Sequence, residues 1–571
     1  MLETDVGDMT MLREWERRVQ LARRELHWPT APERAVVHLT GASLALAAPV
    51  DQLFTATEVN EWALAAAIAE REPGRIASLI AALALEQPEE TEPPVLEEAG
   101  ALLRLRRRAA REANPRLRAL VDAAAMRGLP WLGDDEVLTL GAGAGSHSWP
   151  FTGLPDPSTV DWQALHGIPT ALVTCTNGKT TVVRLLAACA KASGRVTGYC
   201  CTDGVFVSGE ALGTGDYSGP AGARRVLRDA RVEAAVLETA RGGILRRGLA
   251  VARADVAVIT GIAADHFGEF GVHDLDALVD VKLAVARALD GDGLLVTNAD
   301  DALLARRAPA CGKPIGWFAQ DADHPLLAAH RQAGGATAGV RRGRLVLDWQ
   351  GREHELGEIA AMPLTAGGHS HFNVANLATA ALGASRLGVE PATIAALFAN
   401  FGADPADNAG RLMRFEIGGL NLIVDFAHNP AALAGLVDFA QHLRAGGRLA
   451  LLLGQAGNRE DADIDRLAAV AAAAHPDLIV VKELESYLRG RGGGEVPAIL
   501  RRALERAGVA ESSISDAADE DHAVRQALAW ARFGDVLALP LHSKDGRGHA
   551  LALIERLRRE GWSAGRPLPA P

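Results

Sequence analysis

Val173-Thr174-Cys175-Thr176-Asn177-Gly178-Lys179-Thr180-Thr181 joins an apolar run at 170–173 to an alanine- and leucine-rich stretch that continues to about Lys191 and is closed by Gly194. The pattern predicts a strand that turns sharply into a helix. Such a turn presents free backbone N–H groups, and the positive end of the helix dipole, to an anion. The stretch therefore reads as a phosphate cradle, with Lys179 reaching the outer phosphates of a nucleotide and the Thr180 hydroxyl joining the shell of its Mg²⁺. Gly178 is required because a Cβ there would meet the phosphate or the turn. Thr176, Asn177, Gly178, Lys179, Thr180 and Thr181 are thus the candidate nucleotide-binding residues of the loop. Cys175 stands where a loop of this short type begins with glycine, and its side chain either crowds the phosphate or points into the helix.

At 571 residues the chain calls for several domains, because single cores stop growing at roughly 250–300 residues. A net charge of −12 argues against nucleic acid or an anionic membrane as a partner. The basic run Arg104-Leu105-Arg106-Arg107-Arg108 is expected on the solvated face of an amphipathic helix. Five cysteines form no Cys-x-x-Cys pair, and Glu3, Asp5 and Asp8 replace the basic start of a signal peptide, so a reducing cytoplasm is the expected setting. The longest uncharged apolar stretch, 36–50, falls short of the ~20 residues that span a bilayer.

Along the chain, residues 1–160 mix helical periodicity with a short strand-like stretch at 35–46, and the acidic, proline-bearing segments 86–94 and 134–156 read as loops or linkers. From 161 onward strands and helices alternate, with strands expected near 171–175, 195–201, 233–238, 255–260, 293–298 and 313–317 and a hairpin over 344–359. Alternation of this kind implies an α/β fold with a mostly parallel sheet and ligands at the carboxyl ends of its strands. A second α/β set begins near 412. The expected domains are an N-terminal accessory domain, 1–160, of mixed α+β character; a central nucleotide-binding domain, 161–408; and a C-terminal Rossmann-like domain, 409–571.

Polar groups recur at the strand ends. Glu238 closes one strand, ahead of Thr239-Ala240-Arg241-Gly242-Gly243-Ile244-Leu245-Arg246-Arg247, and its carboxylate can serve Mg²⁺ directly or through water. Asp265 and His266 follow another strand and either complete a metal shell or cap a helix. With Gly368-His369-Ser370-His371-Phe372-Asn373-Val374-Ala375-Asn376, Ala409-Gly410-Arg411-Leu412 and Asp425-Phe426-Ala427-His428-Asn429-Pro430, these stretches resemble the Mur ligase superfamily, in order, from about 169 to the end. Residues 238–249 and 488–496 are further similar to the Mur-ligase-like half of the cyanophycin synthetases, which join arginine to aspartate side chains, although there is no room here for an ATP-grasp domain before the phosphate loop.

The resemblance implies an ATP-dependent amide ligase, using ATP and Mg²⁺, that makes an acyl phosphate from a carboxylate and couples it to an amino acid, first arginine on an aspartate-containing acceptor. It implies that Lys179 and Thr180 hold the β- and γ-phosphates and Mg²⁺, that Glu238 and His266 serve the metal, and that Asn373 and Asn376 face the adenine. Arg411 and Asp425 would contact the nucleotide from the far side, with His428 and Asn429 near the transferred phosphoryl group. Lys282 is either the carbamylated, metal-bridging lysine of many family members or a helix-surface lysine. Arg489, Arg491 and the Arg241/Arg246/Arg247 group either hold substrate carboxylates or lie on the surface. Ligation of another peptide or metabolite, and a non-catalytic nucleotide-binding partner of a complete ligase, remain alternatives, and a homo-oligomer is left open.

Overall fold

The apolar run before the phosphate loop forms strand Thr170–Thr174, buried at every residue, and helix Lys179–Ala192 follows the turn. The computed structural model describes residues 2–38, 41–85, 94–265, 267 and 271–569. They fall into two units, Met1–Thr170 with Val196–Ala254 and His266–Ala288, and Ala171–Arg195 with Asp255–Asp265 and Leu289–Pro571. The architecture is α/β, as the alternation of strands and helices demands.

In the second unit Ala254–Ile259 runs parallel to Thr170–Thr174, and Leu289–Asn298, Ile315–Asp321 and Ala336–Arg341 continue side by side in parallel. These strands carry near-continuous apolar runs, the pattern of a sheet covered on both faces. Hairpin Arg344–Trp349 with Arg352–Glu358 closes that end antiparallel. Helix His371–Arg386 packs along these strands and against helix Lys179–Ala192, where Gly383 lets Leu186 approach so closely that a Cβ would meet it at 2.9 Å.

A second sheet follows in the same unit, ordered Met413–Ile417, Leu420–Asp425, Val536–Pro540, Leu449–Leu453, Leu478–Lys482, Ile514–Ala517. Only the first strand is antiparallel to its neighbour. Alternate residues feed two separate cores, Ile423, Leu451, Val481 and Ala538 on one face and Leu422, Leu452, Val480 and Leu539 on the other. The carboxyl ends of four strands therefore bring together Asp425, Pro540, Leu453 and Lys482.

The first unit begins with the antiparallel sheet Leu2–Thr4, Gly41–Ala45, Arg34–His38, so the single stretch expected at 35–46 is a hairpin. Helices Met9–Glu25 and Leu53–Arg71 pack together around Trp15, whose indole N–H donates to Asn60 Oδ1 at 2.7 Å. The segment 134–156, read as a loop or linker from its acidic residues and prolines, instead holds strands Val137–Leu140 and His147–Pro150, which pair with each other and bury Leu138 and Leu140. The other expected loop, 86–94, lies outside the described residues except for Pro94.

The basic run does lie on a helix, Glu98–Glu112, but not all of it faces water. Arg108 reaches the buried Glu58 carboxylate at 3.1 Å, and Arg104 approaches it at 3.9 Å. A buried glutamate on the neighbouring helix turns half of the run inward, because an unpaired carboxylate there would be costly. Strands Thr197–Cys201 and Ala234–Glu238 run parallel in this unit, and helices Arg241–Arg247 and Leu275–Leu283 pack against each other. Among the described residues no helix is long and apolar enough to cross a membrane.

Candidate active site

Gly178 caps helix Lys179–Ala192 with φ +91°, a left-handed conformation that glycine adopts without cost. A Cβ there would also stand 2.6 Å from Asn376 Oδ1, so the glycine is fixed by a neighbouring side chain as well as by its turn. The loop is tied down from below. Thr176 N donates to Gly261 O at 3.1 Å, Ala263 N donates to Thr176 Oγ1 at 3.0 Å, and the Thr260 hydroxyl donates to Asn177 O at 2.8 Å. Asp301 holds the other side of the same segment, accepting from Ile262 N at 2.8 Å.

Lys179 Nζ donates to Cys175 O and Thr176 O, both at 3.0 Å, so its ammonium sits over the loop rather than out in solvent. Thr180 and Thr181 are buried in the first helical turn. Asn408 Nδ2 donates to Thr181 Oγ1 at 3.2 Å, and Arg184 donates to Asn408 Oδ1 and Ala409 O, clasping the segment that presents Arg411. Arg411 Nη2 donates to Thr180 Oγ1 at 3.3 Å while its guanidinium lies 4.4 Å over the Phe426 ring.

Cys175 has no exposed surface, which settles its side chain into the interior rather than against a ligand. Cys175→Gly should therefore leave Mg·ATP affinity within about threefold and lower stability by about 1–2 kcal/mol through lost packing and added backbone freedom. Calorimetry and thermal melting check this. Turnover gained only in the variant would mean that the natural chain binds nucleotide without catalysis.

The far side of the loop is built from the second sheet of the same unit. Asn429 caps helix Pro430–Leu443 by accepting from Ala432 N at 2.9 Å, with proline at the first helical position where no N–H is needed. Its Nδ2 also donates to Asn177 Oδ1 at 2.9 Å, and Asn177 Nδ2 returns the bond at 3.2 Å. The phosphate loop and the 425–429 segment are thus joined by a reciprocal amide pair. Asp425 accepts from Leu412 N at 2.7 Å; burial pushes its carboxyl above the usual range, against the pull of Arg411 and the backbone N–H groups of 412, 426 and 427.

Asp265 gathers three groups: Arg459 at 3.2 Å, Asn429 Nδ2 at 3.4 Å and His428 Nε2 at 3.7 Å. Gln455 Nε2 fixes the His428 carbonyl at 3.0 Å. Arg459 and Gln455 were not expected from the sequence. Their signal was present in Gly454-Gln455-Ala456-Gly457-Asn458-Arg459, which directly follows strand Leu449–Leu453 at its carboxyl end.

Other expected residues stand as follows. Asn373 and Asn376 are buried, Asn373 Nδ2 donating to Leu364 O at 3.0 Å and Asn376 Nδ2 to Asn373 Oδ1 at 3.1 Å. Glu238 and Lys282 lie in the first unit. Glu238 ends its strand buried and accepts from Thr202 Oγ1 at 2.9 Å. Lys282 is only 4% exposed, which removes the helix-surface alternative. His266 lies outside the described residues. Arg491 is not a solvent-facing arginine: it donates to Gly457 O, Arg459 O and Asp461, and pairs with Glu495 at 3.0 Å. Arg489, with φ +44°, stacks over Tyr487 instead.

The Mur ligase middle domain matches residues 173–384, and the Mur ligase glutamate ligase domain matches 410–539. Cyanophycin synthetase of Trichormus variabilis is 37% identical over 65% of this chain, but the chain spans only 41% of that relative's length. The UDP-N-acetylmuramoyl-L-alanyl-D-glutamate--2,6-diaminopimelate ligase of Xanthomonas campestris is 30% identical over 67% of this chain and 74% of its own. E. coli FolC in complex with DHPP and ADP shares the fold at a TM-score of 0.50 and 20% identity, over 68% of this chain and 89% of FolC. The chain belongs to the Mur ligase family.

Proposed function

We propose that this chain is an ATP-dependent amide ligase that activates a carboxylate as an acyl phosphate and couples it to an amino acid, arginine on an aspartate-containing acceptor being the first substrate pair. The observation that carries this reading is the convergence of segments 260–265, 373–376, 408–411 and 425–429 on one glycine-capped loop and helix N-terminus.

The donors fit a nucleotide phosphate. A positive-φ glycine opens the loop backbone, Lys179 brings an ammonium, and Thr180 brings a hydroxyl at the positive end of a helix. Mg²⁺ bound there would supply charge neutralisation on the phosphates, with Thr180 in its shell.

The chain's own groups then act as follows. A carboxylate is a poor electrophile, so its oxygen attacks the terminal phosphoryl group of ATP, the bond to ADP breaks and the acyl phosphate forms; Lys179 offsets the negative charge that develops. Arg411 adds a second cation from the opposite side. His428, held near Asp265 and by its fixed carbonyl, is placed with Asn429 near the transferred phosphoryl group, which an amine then displaces as phosphate, and the amide pair between Asn177 and Asn429 keeps the 425–429 segment in register with the phosphate loop. Excluding water protects the acyl phosphate from hydrolysis.

The arginine and aspartate assignment draws on the similarity to cyanophycin synthetase and on the glycine-arginine stretches at 238–249 and 488–496. The division into 1–160, 161–408 and 409–571 and a cytoplasmic setting belong to the same proposal. Phosphate release from Mg·ATP, screened over single amino acids with and without β-aspartyl peptides or a short aspartate oligomer, tests it. Release that requires both arginine and the acceptor supports the substrate pair; release with another pair redirects the specificity alone. Tight ATP binding without release in any mixture sinks the ligase reading.

A further inference from the structure

Lys482 ends strand Leu478–Lys482 with no exposed side-chain surface. An ammonium in that position is sustained only by partners, and it finds two: the Glu520 carboxylate and the Pro540 carbonyl. Glu520 opens helix Glu520–Trp530 and accepts three further donors, His542 N at 2.7 Å, Ser543 N at 2.9 Å and the Ser543 hydroxyl. Even Gly546 is fitted to this carboxylate, since a Cβ there would stand 2.4 Å from Glu520 Oε2.

A purely structural ion pair would end there. Instead the buried His542 ring reaches on, and its Nε2 lies 3.0 Å from the Ala427 carbonyl. A carbonyl only accepts, so this nitrogen carries the proton and donates. Ala427 lies between Phe426 and His428. The His542 ring also meets Phe426 edge-on at 5.7 Å, and Phe426 is the ring that carries the Arg411 guanidinium toward Thr180.

We infer that Lys482, Glu520 and His542 form a positioning network that fixes the 425–429 segment against the phosphate loop, so that His542 governs nucleotide binding without touching the nucleotide. The functional half of this inference rests on the proposed nucleotide site. Lys482 and Glu520 fix the His542 backbone through its N–H; the His542 ring carries that placement to the Ala427 carbonyl.

Two replacements of similar polarity separate this from general stabilisation. In His542→Gln the longer amide reaches the Ala427 carbonyl, whereas in His542→Asn it falls short. In the full chain, hydrogen exchange of the 425–429 amides should accelerate at least tenfold in the asparagine variant and stay within threefold of the natural protein in the glutamine variant. Mg·ATP affinity measured by calorimetry should follow the same order, lost tenfold or more in the first and retained in the second, with the melting temperatures of the two variants alike. Equal exchange in all three proteins, or equal acceleration in both variants, overturns the network. A natural protein that binds no Mg·ATP strikes the nucleotide reading instead, and the exchange data still report on the network by themselves.

Discussion

Lys179→Met should lower turnover by about 10²–10³-fold while the protein stays folded. Methionine keeps the length and helix propensity of lysine at the first helical position, so only the charge and its donors are removed. The ammonium is partly exposed and its partners are two carbonyls of the loop, which can turn to water, so the stability lost is about 1 kcal/mol. The charge that builds on a transferred phosphoryl group, by contrast, has no second lysine in the loop to meet it. Steady-state phosphate release alongside a thermal melt reads both quantities. Turnover within a few-fold of the natural protein would remove Lys179 from the catalytic machinery and leave the loop a structural turn.

Lys482→Met has its main effect on folding. Removing one partner of a buried pair strands the other, and such losses run to about 3–5 kcal/mol, which corresponds to a fall of roughly 10 °C in melting temperature for a unit of this size. Glu520 would be left with hydrogen bonds from His542 N and Ser543 but no cation. Adding Glu520→Gln should restore most of the loss, because the uncompensated charge disappears. A Lys482→Met protein that melts with the natural one would show that the pair contributes nothing net.

The same cluster sets an acid limit. Burial pushes the His542 ring down to about 3, with Lys482 adding to the effect. Its folded value lies below its ordinary one, so the unfolded chain takes up the proton first, and the stability present above pH ~6.5 drains away as pH falls toward 3. Burial alone would raise Glu520, but the Lys482 ammonium outweighs it and, with the Ser543 hydrogen bond, holds the carboxylate at about 2, which adds a further loss below pH ~4.5. Melting temperature should therefore fall on the acid side of 6.5, and His542→Gln should flatten the limb between 6.5 and 4.5. A melting curve independent of pH over that window would contradict the buried, neutral ring.

The phosphate loop was legible because its chemistry is local: a strand, a glycine, a lysine and a helix within a dozen residues. Strand ends such as Glu238 and Asp425 could be read for the same reason, as a carboxylate closing an apolar run. The network around Glu520 could not. Its members are separated by 38 and 22 residues and meet only because the last strand, Val536–Pro540, inserts between Leu420–Asp425 and Leu449–Leu453. Periodicity likewise could not tell whether Lys282 faced out or in, since a nine-residue helix shows which side is buried only once its neighbours are known. The segment 134–156 misled because turn residues outnumber the few alternating positions, Leu138 and Leu140 among them, that make it a sheet.

Arg491 bears on how members of the Mur ligase family diverge. Its guanidinium is committed to the carbonyls of 457 and 459 and to Asp461 and Glu495, and the residue whose carbonyl it grips, Arg459, is the one that pairs with Asp265. A lysine cannot satisfy that fork of acceptors. Substitution at the exposed Arg489 therefore leaves this frame intact, whereas drift at Arg491 would loosen the Arg459–Asp265 contact beside the phosphate loop.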